Sequence, residues 1–276
     1  MIKHSLFPIL LAFLLCKATA DAQISPDEQK FFAKRTAWLN VLPTGDKPDT
    51  TDLSEIEARG LATTKEWEAL PPGTRAGVAP SIYLWWFETA SVAADRGNYQ
   101  KALEYYNREM SIRYATRSLL RHKGRSFVLT AIRLEADIVG HLGLRGYPTA
   151  IDHFLLPVEL RVNGMKAIVA MEETADDDQN GVEIPPLPEG KDRKILYLLT
   201  ADRNGKYQVV DSVQLIGRLD KGTRITVGQS GGIPLLALGG ISDRVIVKNG
   251  IPIKYVPVRE RTIRYAVTVK GLEETP

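Results

Sequence analysis

The acidic run Asp176-Asp177-Asp178-Gln179-Asn180-Gly181 sets Asp176, Asp178 and Asn180 at alternate positions ahead of a glycine. Alternate side-chain oxygens that converge on one point, with Gly181 to turn the chain, make the opening half of a calcium loop. The twelfth position of such a loop supplies a bidentate Glu, and here it is Leu187, while Pro185 and Pro186 forbid the exit helix of an EF-hand. The pattern therefore allows weak calcium binding through Asp176, Asp178 and Asn180. Its plainer reading is a flexible acidic linker with no cofactor.

A second candidate chemistry is nucleophilic. Gly228-Gln229-Ser230-Gly231-Gly232 fits the G-x-S-x-G spacing that lifts a serine hydroxyl onto a sharp turn. Such a serine needs a base, and beyond the leader the imidazoles are His122, His141 and His153, all well upstream. The residues that follow, Ile233 to Leu238, form a short apolar run where a hydrolase elbow requires a helix. A glycine-rich turn between strands is the favoured reading, with a secreted serine hydrolase centred on Ser230 as the alternative. His141 and His153, with Asp137 and Asp152 beside them, lack the tight spacing of a zinc site.

The third candidate is electrostatic. Arg113, Arg117 and Arg121 recur every four residues, which stacks them on one helical face. Such a ridge could receive a partner's carboxylates or phosphate. Glu109, four residues before Arg113, relieves one end, and a solvated face with local acidic partners is the simpler account.

The elements that position these residues divide the chain. Lys3, the apolar run Ser5 to Cys16 and the small residues Ala18, Ala20 and Ala22 read as a secretory signal peptide over 1–20, too short to anchor in a bilayer. A lipid anchor on Cys16 is opposed by the large Leu15 before it. Cleavage removes Lys3, Lys17 and no acid, leaving 34 basic against 33 acidic side chains and no cysteine. The exported chain, secreted or periplasmic, is then nearly neutral and free of disulfides, and nucleic acid is an improbable partner.

Residues 25–157 read as helical, with Ser25, Pro26 and Glu28 forming a capping-box start and Thr63 and Glu66 repeating that spacing between turn-rich stretches at 42–52 and 70–80. Residues 158–276 read as about eight short strands with Asn163-Gly164 and Asn249-Gly250 hairpin turns and a looser turn at Asp202 to Gly205. Pro252 and Pro257 put the last hairpin at an edge. The expected class is α+β, a helical-hairpin domain followed by an antiparallel β-sandwich or barrel.

Within the helical half, Trp86, Ala90 and Ala93 share one face, Gly97 ends the helix, Asn98 caps the next, and Ala102, Tyr106 and Met110 line its inner face. Trp86, Ala90, Gly97, Tyr99, Ala102 and Tyr106 occupy the pattern of a tetratricopeptide repeat, which the stretch near 83–112 resembles. Glu109 departs from the pattern where a small residue belongs. A degenerate second copy near 131–157 keeps Tyr147, Ala150 and Phe154 but begins 48 residues later, against a family period of about 34. The resemblance implies recognition of a protein or peptide on a helical surface by Trp86, Tyr99, Tyr106 and the arginines, in a non-catalytic scaffold.

Overall fold

The computed structural model describes residues 25–39, 52–116, 125–144, 153–159, 166–174, 187, 191–218, 224–248, 251–257 and 262–275. The protein is α+β: among these residues five helices precede ten antiparallel strands in two sheets. The chain forms two compact units, Met1–Leu120 and Arg121–Pro276.

The first unit contains α1 (Pro26–Leu39), α2 (Leu53–Glu68), α3 (Pro72–Asp95) and α4 (Tyr99–Ala115). The expected capping box closes α1: Ser25 N–H donates to Glu28 Oε2 at 2.9 Å, and Glu28 N–H donates to Ser25 Oγ at 3.2 Å. The second expected box does not form. Thr63 lies inside α2 with its hydroxyl donating to the Arg59 carbonyl, and the cap is Asp52, whose carboxylate accepts from Ser54 N–H at 2.8 Å. Nor is 70–80 a break throughout, because α3 starts at Pro72 and carries Pro80 inside it.

Helix α3 is apolar all round, and Val78, Ala79, Ile82 through Phe87, Ala90 and Val92 through Ala94 are buried. That is the pattern of a central helix. Two rungs one turn apart tie α1 to it, the Arg35–Glu88 ion pair and the stacked Trp38 and Trp85 rings, 4.7 Å between centroids. On α2, Gly60 makes room for Trp85 and Trp86, since a Cβ there would lie 2.9 Å from both indoles. The α3–α4 hairpin forms as its sequence predicts: Gly97 takes φ +74°, Asn98 N–H donates to the Ala93 carbonyl, and Ala90, Ala93, Ala102, Tyr106 and Met110 are buried.

The second unit opens with α5 (Arg125–Leu142), followed by β1 (His153–Glu159), β2 (Lys166–Thr174), β3 (Lys191–Ala201), β4 (Tyr207–Arg218), β5 (Arg224–Ser230), β6 (Ile233–Gly239), β7 (Ile241–Lys248), β8 (Ile251–Pro257), β9 (Ile263–Thr268) and β10 (Gly271–Thr275). The sheets run β1-β2-β3-β4-β7-β8 and β10-β9-β6-β5. They close as a sandwich, with Val169, Met171, Leu196, Leu198 and Leu215 meeting Leu236, Leu238, Tyr265 and Val267 in one core. On the opposite face of the larger sheet, Ile132, Ala136 and Val139 of α5 cover Ile168, Ala170, Ile195, Tyr197 and Leu199. Strand β3 is thus buried on both sides, which is why Ile195 to Leu199 is continuously apolar.

The compact units divide at Leu120/Arg121, with α5 on the sheet it covers, where the sequence pattern places the change of texture at 157/158. Within the expected second hairpin near 131–157, the described residues are helix α5 as far as Leu142 and, from His153, strand β1, pairing with β2 from His153↔Glu172 to Glu159↔Lys166. The edge position expected of Pro252 and Pro257 is where β8 lies.

Helix α5 is fastened at its C-terminal end. Asp137 Oδ1 accepts from Tyr207 N–H at 2.7 Å, and His141 Nε2 is 2.8 Å from the Gly205 carbonyl. A Cβ on Gly140 would overlap the buried Tyr207 ring. Gly140→Ala is therefore expected to destabilise the β unit by about 2 kcal/mol, despite alanine's better helix propensity. Denaturant unfolding followed by near-UV circular dichroism checks this; an unchanged midpoint would show that Tyr207 moves aside freely.

Candidate functional site

The residues expected to recognise a partner are largely internal. Trp86 and Tyr106 are each 1% exposed, and Arg113 is buried as well. Trp86 Nε1 donates to Thr64 Oγ1 at 3.0 Å, and its ring lies 5.7 Å from Tyr105. Arg113 pairs with Glu109 at 2.8 Å and lies 5.1 Å over the Tyr83 ring. Burial raises the Tyr83 hydroxyl above its usual pKa, opposed by the Arg113 charge. At the first member of the expected arginine ridge, Arg113 is a buried ion-pair partner, and Glu109, where the repeat pattern wants a small residue, is the group it holds. Tyr99 is half-buried. Arg117, Arg121, Asp176, Asp178 and Asn180 lie outside the described residues.

Over this aromatic core runs a polar network. Tyr105 donates to Glu57 Oε2 at 2.9 Å, Lys101 reaches Glu57 at 3.0 Å and Glu104 at 3.2 Å, and Arg108 reaches Glu104 at 3.2 Å while lying over Trp86. Burial and the Glu57 carboxylate push Tyr105 up to about 12. A folded-state pKa above the unfolded value of 10.0 means that its contribution is complete below pH 10 and lost as pH rises toward 12. Urea midpoints of the helical unit measured from pH 9 to 12 are expected to fall more steeply in the parent than in Tyr105→Phe. Parallel curves would remove Tyr105 from the alkaline transition.

The sequence reading missed a set of buried charges on β3. Asp192 and Lys194 pair at 2.8 Å on the sandwich side, with the residues 2 and 4 places on, Leu196 and Leu198, in that core. On the helix side Arg193 donates to Tyr255 Oη at 3.2 Å, Tyr197 donates to Glu172 Oε2 at 2.7 Å, and Lys191 pairs with Asp243. The alternation of Lys191-Asp192-Arg193-Lys194 into a strand was the available signal. Acid and base are matched within each face, which suits strand registration better than ligand capture.

Among the described residues, β5 is a terminal strand exposed over most of its length. Its register runs from Arg224↔Gly239 to Ser230↔Ile233, closed by Gly231 and Gly232 at φ +57° and +86°. Those angles make a type I′ turn, for which glycine at both positions removes the strain. Ser230 is therefore the last rung of a tight hairpin. The described imidazole, His141, is engaged with the Gly205 carbonyl; His122 and the side chain of His153 lie outside the described residues.

Thr226 through Ser230 are exposed on both sides of the sheet, with Val227 at 48% and Ile233, across the turn, at 46%. Of the four terminal strands, three carry features that deter pairing. Strand β1 has Pro157 and Glu159, β8 has Pro252, Lys254 and Pro257, and β10 has Glu273 and Glu274. Strand β5 has neither proline nor charge after Arg224.

Comparison of the chain with protein families, curated proteins and solved structures gave no match. Among the described residues no helix is long and apolar enough to cross a membrane.

Proposed function

We propose that this is an exported, non-catalytic protein- or peptide-binding scaffold whose contact surface is the open edge of β5. Export rests on the leader pattern of residues 1–20. The contact moves from the helical hairpin to the sheet because Trp86 and Tyr106 are taken up by the core. The carrying observation is that β5 alone among the terminal strands is exposed on both sides without proline or charge beyond its first residue. An extended segment laid along such an edge gains main-chain hydrogen bonds from every second residue, and Val227 and Ile233 gain apolar cover.

Photo-crosslinking amino acids placed one at a time at Thr226, Gln229 and, on the exposed side of α4, Asn107 test this in the cell that makes the protein. Adducts at Thr226 and Gln229 and none at Asn107 are expected. Adducts confined to Asn107 would return recognition to the helical unit. Labelling of Ser230 by a fluorophosphonate probe would instead make its exposed hydroxyl a nucleophile and replace a binder with a hydrolase.

A further inference from the structure

We infer that β5 pairs antiparallel with β5 of a second copy, about a two-fold axis through Val227, joining two four-stranded sheets into one continuous sheet. This rests on the reading of the β5 edge as the contact surface and names its occupant.

The backbone settles which groups face the edge. A two-residue turn closes on a hydrogen-bonded pair, so Ser230 and Ile233 exchange main-chain bonds, and Gly228, Thr226 and Arg224 do likewise down the ladder. The N–H and C=O groups of Ile225, Val227 and Gln229 then point away from β6, along the open edge. An antiparallel two-fold through Val227 sets Val227 against Val227 of the second copy and Ile225 against its Gln229. The Val227 main-chain groups face outward, so the central pair can exchange both bonds. A two-fold between residues would set outward groups against inward ones.

The side chains fit the same register. Toward the sandwich core, where Val227 lies across from buried Leu236, the half-exposed valines meet each other. On the outer side Thr226 opposes Gly228, which offers no Cβ to obstruct it; a Cβ there would meet nothing within 4 Å in the single copy. Arg224 falls opposite Ser230, so no like charges face each other along the seven-residue strand. An isologous contact of this kind closes on itself and leaves no further β5 edge exposed.

The test uses the full chain as exported, whose lack of cysteine after Cys16 makes single-cysteine variants unambiguous. Sedimentation over a concentration series is expected to show a monomer–dimer equilibrium. Val227→Lys would raise its dissociation constant roughly tenfold or more by setting two ammonium groups together. Val227→Cys is expected to form an inter-chain disulfide on mild oxidation, because a hydrogen-bonded pair sets Cα atoms about 5.5 Å apart. Thr226→Cys, whose opposite number is Gly228, is expected to cross-link far less. Val227→Pro removes an N–H that β6 does not use, and it should give a folded monomer.

A parent that stays monomeric at the highest concentration overturns the dimer; the edge reading then stands or falls on the Thr226 and Gln229 photo-adducts. A dimer that survives Val227→Lys, or equal cross-linking of Thr226→Cys and Val227→Cys, overturns the β5 pairing.

Discussion

Trp86→Ala is expected to cost the helical unit about 4 kcal/mol, a large fraction of the stability of an ordinary unit. The indole is 1% exposed and touches two other helices: Thr64 and Gly60 on α2, Tyr105 and Arg108 on α4, from its own place on α3. Truncation removes the ring and opens a cavity among side chains too large to collapse into it. It also leaves the Thr64 hydroxyl without its donor. Trp86→Phe keeps a ring against Tyr105 while losing the Nε1–H bond, and is expected to cost roughly half as much. Far-UV circular dichroism during urea unfolding measures both. If Trp86→Ala unfolds like the parent, the core reading fails.

Trp86 also shows where sequence reading stops. The positions of Ala90, Ala93, Ala102 and Gly97 were legible because helical spacing and a positive-φ turn are local properties. Spacing cannot say whether a stripe faces a fourth helix or a groove. That is decided by α2, whose Gly60 fits the indoles from a distant part of the chain. Arg113 makes the same point: its four-residue spacing from Glu109 was plain, but its place over Tyr83 depends on α3.

Other differences have local causes. The Thr63 and Glu66 spacing of a capping box also arises inside helices, where a threonine hydroxyl turns back to the carbonyl four residues earlier, as Thr63 does to Arg59. The true start is capped by Asp52, whose carboxylate accepts from Ser54 N–H. Helix α5 was grouped with the other helices by texture, yet Ile132, Ala136 and Val139 bury against the sheet. The β5 edge was half legible. Its Gly-Gln-Ser-Gly-Gly signal marked a turn, but only sheet order reveals that β5 is terminal.

Asp192→Ala is expected to destabilise the β unit by about 3 kcal/mol. Lys194 is 1% exposed, and its ammonium lies 2.8 Å from Asp192 Oδ2 on the same side of β3 as Leu196 and Leu198. Removing the carboxylate takes the nearest compensating charge from a buried ammonium, which costs more than the pair contributes. Asp192 Oδ1 is itself buried without a hydrogen-bond partner, so the pair is not an optimal one. The double replacement Asp192→Leu with Lys194→Met is therefore expected to fall within about 1 kcal/mol of the parent, because both charges leave together and the added apolar groups face an apolar core. The thermodynamic cycle of parent, Asp192→Leu, Lys194→Met and double variant, measured by urea unfolding, isolates the coupling. A double variant as unstable as Asp192→Leu alone would mean that the pair fixes the register of β3 against β4. There Gly217 leaves the space the Lys194 side chain fills, and the charges would then be retained for specificity in strand pairing.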